Sequence, residues 1–143
     1  MKLVMALWLA YSGLGLKFME SYPPMSPHSG PHLGQDFMAL AGTPITAIED
    51  GMVLFVGNYL GQKNDNYYET AVEIRVGNRL WSYFHVRPAP GIIGGIEVLK
   101  GQVIGHIAQC PIIAYGDHLH LEFKVYLDPM KFLEGETHNE KQN

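Results

Sequence analysis

An all-β, antiparallel domain is what this sequence predicts, on three observations. Gly116-Asp117-His118-Leu119-His120-Leu121-Glu122-Phe123 alternates polar and apolar residues, the period of a strand with one face in a core. Residues 71–76 alternate likewise, Val72, Ile74 and Val76 on one side and Glu73 and Arg75 on the other. No stretch longer than a turn carries helical periodicity.

Taken in order, the chain opens with Lys2 and the apolar run 3–10, the outline of a short signal peptide. One lysine is a thin basic region, however, and no small-x-small cleavage site follows. The run is too short to span a membrane. The preferred expectation is a first strand leading into the turn Ser12-Gly13-Leu14-Gly15, with a secreted protein as the alternative. Residues 22–36 hold Pro23, Pro24, Pro27 and Pro31 with Gly30 and Gly34, so they read as irregular loop. His32 and Asp36 would share a helix face at that spacing, but Pro31 and Gly34 argue against a helix. His32 is expected at a loop end and Asp36 entering a strand.

Asp50-Gly51 between the apolar runs 45–48 and 52–56 predicts a hairpin. Residues 58–66 form a polar loop. Gly77-Asn78 turns the strand 71–76 into another over 80–85. Residues 98–105 read as strand, turn, strand, and after His120 the sheet is expected to end near Val125. Asp128-Pro129 opens a short helical turn reaching Leu133, and 134–143 is a polar tail.

Composition narrows the function. With 143 residues, 47% hydrophobic and 17% charged, the chain is one globular domain, 1–143, with its core from about 12 to 133. A net charge of −4 argues against nucleic acid, which demands a basic stripe. Cys110 is the single cysteine, so there is no internal disulfide and no cysteine-built zinc site; it reads as a small packed hydrophobe. The seven histidines are the compositional oddity.

His118 and His120 project from one strand face while Leu119, Leu121 and Phe123 pack on the other. His32, Asp36 and His120 are candidate metal ligands: two imidazoles and a carboxylate suit Zn²⁺ and leave a fourth position open. Such a metal polarises a carbonyl and makes hydroxide available near neutral pH. His118 and His85 are then candidates for proton transfer or oxyanion binding. Spacing alone leaves copper, iron and structural uses open, and His85 alone reads equally as a histidine satisfied by a backbone carbonyl. His28, His106 and His138 read as loop or surface residues.

The order of the pieces adds to this. His32-Leu33-Gly34-Gln35-Asp36-Phe37, then Gly42-Thr43-Pro44-Ile45 and Asp50-Gly51-Met52-Val53, resembles the opening of the lysostaphin/LytM-type zinc endopeptidases. Tyr83-Phe84-His85 looks like that family's Tyr-x-His element, and Gly101-Gln102-Val103-Ile104-Gly105 with His118-Leu119-His120-Leu121-Glu122 looks like its closing half. The likeness runs from about Ser12 to Leu133.

The resemblance implies a compact antiparallel LytM-like sheet or sandwich, of the barrel-sandwich-hybrid type, with long loops walling a groove and little helix. It puts His32, Asp36 and His120 on the ligands of one zinc ion. His85 and His118 fall on the catalytic histidines that flank the attacking water and the scissile carbonyl. The implied substrate is a peptide bond of bacterial peptidoglycan, in a stem-peptide crosslink or an interpeptide bridge. Three departures stand out. Lys17 stands where an arginine is usual, and Gln109-Cys110-Pro111-Ile112-Ile113-Ala114-Tyr115 replaces a Gly/Thr-rich groove loop. Val86 follows His85 where leucine is usual.

Two other readings compete. One is a non-catalytic module of the same family that binds peptidoglycan or regulates a partner hydrolase; the five retained positions argue against it. The other is a cupin, whose acidic ligand lies several residues after the His-x-His, whereas Glu122 is only two away. The acidic balance and lack of a clear export signal lead to the expectation of a bacteriophage protein acting at the wall. It would be tail-associated, with tail proteins as partners, or released on lysis, and it would have no stable membrane insertion.

Overall fold

The computed structural model describes residues 13–22, 30–60 and 67–133. Among them are the strands β1 (Gly13–Leu14), β2 (Gln35–Met38), β3 (Pro44–Thr46), β4 (Gly51–Asn58), β5 (Thr70–Val76) and β6 (Arg79–Phe84). They are followed by β7 (Val86–Pro88), β8 (Glu97–Val98), β9 (Val103–Ile107), β10 (His118–Val125) and a short helix α1 (Pro129–Leu133). Seven strands form one sheet in the order β1-β2-β10-β6-β5-β4-β8, and β3-β9-β7 form a second. Every pairing is antiparallel. No helix among the described residues is long and apolar enough to cross a membrane.

The alternation in the sequence explains what lies between the sheets. Val72 and Ile74 of β5, Tyr83 of β6 and Leu119 of β10 are almost wholly buried, as are Ile45 of β3 and Ile104 and Ile107 of β9. They form one apolar cluster that joins the two sheets. Each fully buried Ile or Leu contributes about 1.5–3 kcal/mol of transfer free energy, so the cluster holds the sheets together without a disulfide. The opposite face of β10 carries His118, His120 and Glu122.

Several expectations hold: the strand at 71–76, the turn at Gly77-Asn78, the strand after it, the strand ending at Val125 and the short terminal helix. Gly77 has φ +61°, which glycine adopts without the steric cost a Cβ brings. Others need correction. The apolar run 3–10 lies outside the described residues, as do His28 and His138. Gly13–Leu14, expected as a turn, is a short strand on β2.

The runs around Asp50-Gly51 are both strands, but they do not form a hairpin. β3 pairs with β9, whereas β4 pairs with β5 and β8. Asp50-Gly51 is a corner between sheets, closed by Asp50 Oδ1 accepting the Lys100 N–H at 2.7 Å. β8 and β9 likewise belong to different sheets. His106, read as a loop or surface residue, is a half-buried residue of β9.

Candidate metal centre

The β2–β10 pairing sets Asp36 directly opposite His120. Paired residues of antiparallel strands point to the same face, so the carboxylate and the imidazole meet, with Nδ1 2.9 Å from Oδ1. His32 arrives from the loop before β2. Its main chain is held by paired bonds, His32 N–H to the Glu20 carbonyl at 2.9 Å and Met19 N–H to the His32 carbonyl at 2.7 Å. His32 Nε2 stands 3.1 Å from Asp36 Oδ1 and 2.8 Å from His120 Nδ1. Three donor atoms therefore form a triangle with sides of 2.8–3.1 Å. His32 and Asp36 are buried at 1% and 7% exposure.

The outward hydrogen bonds show what this triangle suits. His32 Nδ1–H donates to the Lys17 carbonyl at 3.0 Å, and a carbonyl can only accept. A neutral His32 ring thus carries its lone pair on Nε2. His120 Nε2–H donates to Glu122 Oε1 at 3.1 Å, so a neutral His120 carries its lone pair on Nδ1. Two nitrogen lone pairs and a carboxylate oxygen converge, and nothing in the triangle is a fixed donor. That is a donor set for a cation. Tetrahedral zinc with bonds of about 2.0–2.1 Å spaces its ligands about 3.3 Å apart, close to the observed separations.

The electrostatics agree. Burial lowers the His120 pKa, but hydrogen bonds to Asp36 and Glu122 outweigh it and hold it above the ordinary histidine value. Burial raises the Asp36 pKa; the bond from His120 and the nearby histidines outweigh it and hold it below the ordinary value. Both groups are tuned toward positive charge at the centre of the triangle. Gly34 is what lets His120 sit there. A Cβ at that residue would stand 2.7 Å from His120 Nε2 and 2.5 Å from the Leu121 carbonyl oxygen.

His85 and His118 stand beside the triangle. His85 occupies the corner where the chain leaves β6 in one sheet for β7 in the other. Its φ is +63°, a left-handed conformation rare outside glycine and found where a side chain must be aimed. His85 Nδ1–H donates to the Tyr68 carbonyl at 2.6 Å, and the Tyr68 ring stacks on it with centroids 4.0 Å apart at 7°. The carbonyl partner expected for an isolated His85 is there, together with a position in the site. His118 Nδ1–H donates to the Gly116 carbonyl at 2.9 Å. The His85 and His118 rings lie edge to face at 4.7 Å, and His85 is 6.3 Å from His120. Burial first, then the neighbouring His118, pushes the His85 pKa down to about 3.

All five sequence-predicted residues line one open groove of about 380 Å³. Tyr59 and Leu60 contribute to its walls, as do Ala114 and Tyr115 from the loop before β10. Asp117 anchors that loop: one carboxylate oxygen accepts the Cys110 N–H at 2.8 Å and the other the Ala41 N–H at 2.9 Å. Cys110 is buried, as expected, with its thiol donating to the Ile112 carbonyl. Sequence reasoning missed Tyr68, which sits in a turn without periodicity. It noticed Glu122 only as an acidic residue two after His120, although the same alternation could have made it a partner of that ring.

Fold and site together define an antiparallel β domain with a His/Asp/His cluster in an open groove. The sequence profile of Peptidase family M23 matches residues 30–132, a span that includes every strand from β2 to β10, and the chain belongs to that family. Over 108 residues it is 32% identical to the peptidoglycan DD-endopeptidase ShyC of Vibrio cholerae, covering 71% of this chain and 22% of that protein. The chain thus spans less than a quarter of that relative. The catalytic domain of the antimicrobial peptidase lysostaphin from Staphylococcus simulans matches with a TM-score of 0.63 at 25% identity, over 91% of this chain and 98% of that domain. A zinc containing peptidase from Vibrio cholerae matches with a TM-score of 0.60 at 26% identity, over 81% of this chain and 34% of that one. The lysostaphin/LytM-type likeness read from the sequence is a family membership.

Proposed function

We propose that this chain is a zinc-dependent endopeptidase that hydrolyses peptide bonds in bacterial peptidoglycan. His32, Asp36 and His120 hold one zinc ion, and His85 and His118 carry out proton transfer and carbonyl stabilisation. The observation that carries this reading is the convergence of three lone pairs beneath a groove that holds two further imidazole nitrogens with no hydrogen bond among the described residues. The family, the DD-endopeptidase relative and the zinc containing neighbour support it.

A zinc ion there supplies Lewis acidity, which polarises a carbonyl and acidifies water. The protein supplies the rest. With both Nδ1–H groups committed to main-chain carbonyls, His85 and His118 each present Nε2 for chemistry. His85, kept neutral, is an acceptor able to take a proton from the attacking water. His118, on the same face as His120, is suited to hydrogen-bond the developing oxyanion once it carries a proton. The groove walls of Tyr59, Leu60 and Tyr115 hold an extended peptide against these groups and shed water around it.

In the same reading, residues 1–143 form a single domain with its core at about 12–133. A net charge of −4 gives no long-range attraction to anionic wall polymers, which supports delivery by a phage tail or release at lysis. Peptide mass spectrometry of purified virions tests that part.

The central experiment is metal content measured with release of new amino groups from purified peptidoglycan, for wild type and His85→Ala. About one zinc per chain, with cleavage lost in the variant, is the expected result, and fragment masses name the bond. Zinc without cleavage of any wall type points to a non-catalytic binding module. Absence of zinc removes the ligand set.

A further inference from the structure

We propose that Glu122 is a positioning residue for the metal centre, fixing the ring of His120 so that Nδ1 faces His32 and Asp36. This rests on the zinc reading above and adds to it a residue outside the ligand set.

An imidazole offers either nitrogen to a metal, and something must choose. His120 and Glu122 are two apart on β10 and share a face. Glu122 Oε1 stands 3.1 Å from His120 Nε2, on the side of the ring away from Nδ1. The carboxylate therefore lies outside the donor triangle; it cannot ligate the ion that Nδ1 holds, but it selects the nitrogen that does. With Nε2–H committed to Glu122, the Nδ1 lone pair is the one left facing Asp36.

The carboxylate is itself held. Its second oxygen, Oε2, is 2.8 Å from the Lys124 ammonium, two residues further along the same face. Each oxygen thus serves one partner, and both bonds are charge-assisted, which strengthens them relative to neutral ones. Gly34 gives the ring no side chain to lean on from beneath; Phe84 meets it edge to face at 5.3 Å, and the hydrogen bond to Glu122 selects which nitrogen turns inward. A carboxylate behind a ligating histidine also raises its basicity, and loss of such a partner typically weakens metal binding about 10–100-fold.

The test is the zinc dissociation constant of wild type, Glu122→Gln and Glu122→Leu, by competition with a chromogenic chelator, alongside metal-free melting temperatures and kcat at saturating zinc. The Leu variant, with no acceptor, is expected to bind zinc about 10–100-fold more weakly. The Gln variant, whose amide oxygen still accepts, should lose only about three- to tenfold with its metal-free melting temperature unchanged. Saturating zinc should restore most of kcat in the Gln variant. Both variants binding zinc within twofold of wild type overturns the proposal. So does loss of kcat at unchanged affinity, which makes Glu122 a direct participant, and so does an affinity loss that merely tracks a falling metal-free melting temperature. If the Leu variant does not fold, the Gln affinity decides alone on the same twofold line. A wild-type chain that takes up no zinc overturns the zinc reading and this proposal with it; wild-type binding with indifferent variants overturns only the proposal.

Discussion

Asp36 and His120, 84 residues apart in sequence, face each other directly across the β2–β10 pairing, with Oδ1 and Nδ1 2.9 Å apart. The candidate donor triangle is therefore a property of strand register. A slip of one residue would bring Leu119 or Leu121 opposite Asp36 and turn both histidines into the core. The packing of Leu119, wholly buried, opposes that slip, so the apolar face of β10 fixes the position of the polar one.

Removing one corner of the triangle should remove the metal. Asp36→Asn keeps the shape but takes away the single formal negative charge, and His120→Ala takes away a nitrogen ligand. Both variants should lose zinc on dialysis and lose peptidoglycan cleavage together, while wild type retains about one zinc per chain. Metal analysis beside the amino-group assay checks this. An Asp36→Asn chain that keeps full zinc and full activity would show that the carboxylate is not a ligand.

His118→Ala separates binding from chemistry. The ring lies outside the triangle, so zinc content should stay at the wild-type level. Turnover should fall by about 10²–10⁴, the usual worth of a positioned acid or base. His85→Ala should do the same. A variant cleaving at the wild-type rate with zinc bound would deprive that histidine of its role.

The strands were legible because their signals are local, whereas the candidate site residues were picked out by the order of motifs along the chain rather than by local spacing. Alternation over residues 71–76 and 118–123 identified strands and the buried side of Val72, Ile74 and Leu119, and His118 and His120 necessarily shared a face; Phe123, expected in the core, is 45% exposed and rests against Trp81. Strand partnership was not legible. Asp50-Gly51 encodes a reversal of direction, but nothing within a few residues says that β3 pairs with β9, with Ile45 opposite Gly105. Tyr68 was hidden for a related reason. Its hold on His85 arises from the way β5 and β6 bring a turn and a corner together, and no periodicity marks either. The loop 109–115 gave no sign of how it is anchored, since Asp117 reads as an ordinary polar residue until its bonds to the Cys110 and Ala41 main chain are seen.

Gly34→Ala should damage the centre without replacing a ligand. The added methyl would stand 2.7 Å from His120 Nε2 and 2.5 Å from the Leu121 carbonyl oxygen, and the second neighbour is main chain in a strand. Relief has to come from moving β10 or rotating the His120 ring. We expect about 1–3 kcal/mol of destabilisation and weaker zinc binding than wild type. Chemical denaturation with a chelator titration measures both. Wild-type stability and affinity would mean that the loop at Gly34 yields freely.

The metal-free protein should lose stability on acidification, and His85 should be the first cause. Its folded pKa of about 3 lies far below the ordinary 6.5. Between those values the unfolded chain binds a proton that the folded chain refuses, so stability rises with pH across the window. The contribution is complete above about 6.5 and is lost progressively as pH falls toward about 3. Asp36 and Glu122 act in the same sense lower down. Burial raises both pKa values, but the hydrogen bond from His120 to each, with Lys124 for Glu122, holds them below 3.8 and 4.5. Their contribution is present above those values and lost as pH falls through the folded ones. His120, raised above 6.5, has the opposite sign: its contribution is complete below 6.5 and lost as pH rises through the folded value. Melting temperatures of the metal-free chain should therefore fall between about pH 6.5 and pH 4, and His85→Gln should flatten that slope. An unchanged slope in His85→Gln would move the cause to the carboxylates.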